Sequence, residues 1–168
     1  FANLNEAQAA VIRETRLGLA AGKDSIIDFI ASEFDHAKIQ GLPQSLIGLH
    51  GGLMIVNQLQ AGDVLKAAAD YVASALLSGN QTPELGQMDD LADAITSVDY
   101  YLERLLDNPG DPYLQMLEVA ETAVTKLGYP VGAAAPAAEV VEEAAEVVEE
   151  AAEVVEEAAQ VAADITEE

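Results

Sequence analysis

The chain has no cysteine and no tryptophan, which excludes disulfide staples and thiolate-held metal centres. Cations are scarce: 7 Lys and Arg stand against 30 Asp and Glu, for a net charge of −23. Nucleic acids and anionic membranes select basic patches, so the composition argues against both as partners. Long apolar runs are missing too. No stretch approaches the roughly 20 apolar residues of a membrane helix, and no basic start followed by an apolar core marks a signal peptide. The first residue is Phe1 rather than methionine, so the chain reads as a segment of a longer polypeptide, and a cytoplasmic location is expected. The two histidines, His36 and His50, lack HExxH-type spacing; no metal or cofactor site is expected.

What is present is helical periodicity throughout. Asn3 and Glu6 have capping-box spacing, and Leu4, Val11, Ile12, Thr15 and Leu19 form a stripe ending near Gly22. Asp24 opens a second helix with Ile27, Ile30, Phe34 and Ala37 on its apolar side. A third runs from Leu42 to Gly62, with Pro43 in its first turn and Leu46, Leu49, Leu53 and Val56 as its buried face. Gly62-Asp63 breaks the chain before a fourth helix, Val64 to Leu77. Thr82, Pro83 and Glu84 open a fifth, whose seam is Met88, Leu91, Ile95, Val98, Leu102 and Leu105. After the turn at 108–112, a sixth runs from about Pro112 to Leu127 and stops at Gly128. Strand-type alternation appears nowhere. The expected fold class is all-α, an antiparallel bundle with short connections.

Beyond Tyr129-Pro130 the composition changes. Residues 1–130 are read as the bundle, 131–138 as an Ala/Pro/Gly linker and 139–168 as an acidic spacer in which EVVEEAA repeats three times. Of the −23 total, −12 falls at or after Ala133, where no Lys or Arg occurs, which leaves −11 for the first 132 residues. The Val/Ala seven-residue repeat allows a coiled coil. Glutamates three and four apart with no answering cation oppose one, and a solvated, partly helical or disordered spacer is the preferred reading.

Three glycines crowd the third predicted helix, Gly48, Gly51 and Gly52, and each costs roughly 1 kcal/mol against alanine in a helix interior. They imply close packing or a face kept clear for a partner. His50 precedes the Gly51-Gly52 pair, and a neutral imidazole beside such glycines suggests phosphoryl transfer. Helices three and four resemble the core hairpin of histidine phosphotransfer domains, whose motif is His-x-x-Lys-Gly-Ser/Gly. The motif lies over Ile47-Gly48-Leu49-His50-Gly51-Gly52. Both glycines match, but Ile47 holds the phosphoacceptor position and His50 the lysine position. Residues Met88 to Gly128 resemble a helical pair found beside such modules in the large hybrid CheA-like kinases of type IV pilus and twitching-motility systems. A stand-alone scaffold of the same pathway is similar as well. The resemblance covers about Asp24 to Tyr129. It implies a histidine phosphotransfer-like four-helix core with an additional helical hairpin, partnered by response-regulator receiver domains or by other modules of the same kinase.

The mismatch at Ile47 shapes the functional expectation, because an isoleucine has no nitrogen to phosphorylate. The favoured reading is a degenerate, non-phosphorylatable docking or scaffold domain, with kinase chemistry elsewhere in a parent chain. The alternative is active phosphotransfer by His50, displaced by three residues, or ~4.5 Å along the helix. The third possibility is a purely structural spacer. His36 is expected as a favourable charge near a helix C-terminus. Asp89, Asp90, Asp93 and Asp99 are expected on a solvated face, and Tyr101 at the seam's edge with its hydroxyl in water.

Overall fold

The computed structural model describes residues 4–79 and 82–132. The chain divides into two units, Phe1–Gly132 and Ala133–Glu168. The acidic repeat, with its coiled-coil and spacer readings, lies outside the described residues, as do Asn3 and the linker beyond Gly132. Five α-helices form the described part: α1 (Glu6–Ala31), α2 (Leu42–Ile55), α3 (Leu59–Tyr71), α4 (Leu85–Asp107) and α5 (Gln115–Lys126). A 3₁₀ turn, His36–Lys38, precedes α2, and α3 runs on as a π-helical segment, Val72–Ser78. No strand occurs among the described residues, so the all-α expectation holds.

The first two expected helices are one. α1 runs unbroken for 26 residues. Gly22 does not end it but is buried inside it, where a Cβ would stand 3.4 Å from Leu42 Cδ1. The start also differs from the expected Asn3. The Gln8 N–H donates to Asn5 Oδ1 (2.7 Å) and the Asn5 N–H to Gln8 Oε1 (3.1 Å), a reciprocal capping box. At the other end, the Phe34 N–H donates to the Phe29 carbonyl (2.8 Å) and the Glu33 N–H to that of Ile30 (3.2 Å), with Glu33 at φ 57°. This Schellman arrangement stops α1, and Phe29 and Phe34 close it edge to face, 5.3 Å apart.

The expected third helix, Leu42 to Gly62, is in turn divided. Asn57 adopts φ 62°, the Gln58 N–H donates to the Leu53 carbonyl (2.8 Å) and the Asn57 N–H to that of Met54 (3.1 Å). The hydrogen bonds are again those of a Schellman cap, here with asparagine in the left-handed position that glycine usually fills. Gly62, expected to be the break, lies buried within α3. Later, α4 begins at Leu85, two residues beyond Pro83, with the Glu84 N–H donating to Gln87 Oε1 (3.0 Å). Gly128 does end α5 as expected, at φ 91° with the Tyr129 N–H on the Val124 carbonyl (2.9 Å).

α1, α2, α3 and α4 each pack on the next in a closed ring, and α5 lies against α3 and α4. Short turns make α2–α3 and α4–α5 antiparallel hairpins. The core draws Leu19 and Phe29 from α1, Leu46 and Leu53 from α2, Leu65 from α3, Ile95 and Leu102 from α4, and Val124 from α5. α3 touches α2, α4 and α5, and the buried Ala61, Ala67, Ala68 and Ala69 leave those neighbours room to approach beside the larger Leu65 and Tyr71.

Candidate functional site: the uncharged face of α2

Between Lys38 and Asp63 the chain carries no Asp, Glu, Lys or Arg, the longest such interval in the sequence. α2 lies wholly inside it. Leu42, Leu46 and Leu53 turn into the core, while Leu49 seats against Gly18 of α1. A Cβ on Gly18 would fall 2.6 Å from Leu49 Cδ2, so the missing side chain makes that seat. Gly52 faces the same way, with Val11 Cγ1 3.5 Å from the place its Cβ would take.

The opposite side of α2 is largely open, and at its edge Met54 leans on Gly62 of α3. Ile47, Met54 and Ile55 are 43%, 39% and 84% exposed, and added Cβ atoms on Gly48 and Gly51 would meet nothing within 4 Å. Scattered surface hydrophobics are ordinary. Three on one uncharged helix face, set around two bare glycines, make a contiguous apolar strip.

His50 belongs to neither side. Its Nδ1 lies 2.7 Å from the carbonyl oxygen of Gly62 on α3. A carbonyl only accepts, so Nδ1 carries the proton and donates, which leaves the lone pair on Nε2. Gly62 permits this approach: a Cβ there would stand 3.3 Å from His50 Nδ1 and 3.3 Å from Met54 Sδ. The half-buried imidazole therefore brackets α2 to α3. Of the four motif positions, the fold leaves Ile47 and Gly51 together on the open face, turns Gly52 to α1 and turns His50 to α3.

Other singled-out residues land differently. His36 is in the 3₁₀ turn rather than at a helix C-terminus, its ring 6.0 Å from Phe29 and its Nε2 buried without a partner. Asp99 is not a solvated carboxylate: it receives Arg16 Nε (2.9 Å) and Lys23 Nζ (3.4 Å) and ties α4 to α1. Tyr101 is buried, and its hydroxyl donates to Gln58 Oε1 (2.6 Å) in the α2–α3 turn rather than to water. Burial pushes its hydroxyl pKa up. The same turn, with Leu4, Leu105 and Pro112, lines a cleft of about 380 Å³ at that end of the bundle. Tyr71 packs edge to face on Tyr129 with its hydroxyl unpaired. Burial, then the neighbouring Tyr129 and Asp90, push its pKa up to about 12. Among the described residues no group of His, Asp and Glu could hold a metal ion, and no helix is long and apolar enough to cross a membrane.

Sequence reasoning missed the role of Gly62 and the turn at Asn57. The available signals were the asparagine and the charge-free interval, whose length exceeds one short helix.

No solved structure matches the chain significantly. Over 132 residues the chain is 36% identical to the scaffold protein FimL of Pseudomonas aeruginosa, an alignment covering 77% of this chain and 23% of that protein. It thus spans about a quarter of the length of that relative. Residues 2–124 match the family described as the FimL C-terminal domain, and the chain belongs to that family.

Proposed function

We propose that this bundle is a docking module of a chemosensory scaffold that carries no phosphate. The observation that carries the reading is the pairing of Ile47 and His50. Ile47 stands on the open face of α2, where a phosphotransfer helix would present its nucleophile, and has no nitrogen to offer. His50, the only other candidate on the helix, keeps a free Nε2, but its Nδ1 bond to the Gly62 carbonyl turns the ring toward α3 and off the face that Ile47 occupies. In-line phosphoryl transfer tolerates such misplacement poorly. What remains on the face is an apolar, charge-free helix surface suited to helix-in-groove recognition. The name of the related scaffold protein FimL supports the scaffolding part. The resemblance to kinases of type IV pilus systems supplies the class of partner: receiver domains or other modules of such a pathway.

The test combines phosphorylation and binding. The chain is mixed with an autophosphorylating CheA-type kinase core and ATP, and with receiver domains, under conditions that preserve acid-labile phosphohistidine. The expected outcome is no label on the chain, and receiver binding that Ile47→Glu abolishes. Label that disappears only in His50→Gln would overturn the proposal in favour of a displaced acceptor. Unlabelled chain with no binding to any pathway module would leave a structural spacer.

A further inference from the structure

We infer that the outward face of α2 is also the surface through which two copies of this chain pair, crossing antiparallel at Gly51. The face is self-complementary in sequence. Ile47 and Ile55 lie four residues to either side of Gly51, and Gly48 and Met54 lie three to either side. A two-fold axis through Gly51 therefore sets Ile47 against Ile55 of the second copy across the bare backbone of Gly48 and Gly51, with Met54, whose Sδ leans on Gly62 of α3, at the edge. Each contact occurs twice, as an isologous interface requires. The space to do this is open, since neither Gly48 nor Gly51 has anything within 4 Å of the place a Cβ would occupy. Helix axes can then approach more closely than the usual ~8–10 Å.

Charge selects the same occupant. Two copies, each at −23, repel wherever their carboxylates meet. The interval from Ile39 to Gly62 brings no charge to the contact, so it is where a second copy can approach at least electrostatic cost. A cationic partner would be held by acidic surface elsewhere. One helix face is smaller than the ~800 Å² per partner of a standard interface, so the pairing is weak, and screening by salt strengthens it. This inference goes beyond the docking reading and does not need it. Because one face serves both, a second copy and a docking partner exclude each other.

Sedimentation equilibrium of the 168-residue chain, at micromolar to millimolar loading and at low and high salt, tests the inference. The expected result is a monomer–dimer equilibrium that tightens with salt. Ile47→Lys and Ile55→Glu should each weaken it by about tenfold or more, with helicity unchanged because both side chains are exposed. An equimolar mixture of the two variants should regain a mixed dimer, since the crossing sets Lys at 47 against Glu at 55. A monomer at every concentration, a dimer indifferent to both substitutions, or a mixture that does not recover would each overturn the inference. A monomeric chain that still binds a receiver domain through Ile47 would sink this inference alone and leave the docking reading intact.

Discussion

Two buried tyrosines show how much one hydroxyl partner decides. Tyr101 donates to Gln58, so Tyr101→Phe leaves that amide oxygen without its donor and should cost about 0.5–1.5 kcal/mol in chemical denaturation. The Tyr71 hydroxyl has no partner, and Tyr71→Phe should be neutral or slightly stabilising. A loss of more than 1.5 kcal/mol at Tyr71 would reveal a hydrogen bond that the geometry lacks. Both phenols hold their protons more tightly in the folded chain than in the unfolded one. Their contribution is therefore complete below the unfolded value of 10 and is lost as pH rises toward about 12 for Tyr71. A stability profile should fall across that alkaline window, and Tyr71→Phe should flatten part of the fall. Spacing could place Tyr101 beside the seam. It could not show that a turn residue 43 positions earlier would accept its hydrogen bond.

At the scale of the element, α2 makes opposite demands on its two sides. Leu46→Ala and Leu53→Ala remove fully buried side chains and should each cost about 2–5 kcal/mol. Ile47→Ala, on the open face, should stay within about 0.5 kcal/mol. Gly48→Ala has room for its methyl group and should stabilise the bundle by roughly 0.5–1 kcal/mol. Destabilisation by Gly48→Ala in thermal melts would mean the face is already covered. That the fold tolerates a stabilisable glycine there is consistent with a use outside the fold. The buried stripe of α2 was legible because Leu46 and Leu53 keep helical spacing. The ends of the helices were less so. Gly22 and Gly62 read as breaks but serve close helix contacts, while the real stops use left-handed backbone at Glu33, a residue type that seldom adopts it, and at Asn57, a type that does.

For the molecule as a whole, excess negative charge works against compactness. Raising ionic strength toward about 0.15 M should increase the melting temperature, because screening relieves the repulsion of carboxylates that outnumber cations. A decrease would mean that the pairs of Arg16 and Lys23 with Asp99 outweigh that repulsion. Composition and periodicity by themselves determined that this is an acidic all-α bundle without cysteine chemistry. Those properties depend on residue type and on spacing within one turn, and both are local. The ring of four helices, the single long α1 and the direction in which His50 points were decided only by tertiary structure. Each rests on contacts between residues far apart in the chain, such as His50 with Gly62 and Leu49 with Gly18. No local pattern encodes which side of α2 remains open. It is open because α1 and α3 take the flanks, the core takes the inner face, and no described element reaches Ile47, Gly51 and Ile55.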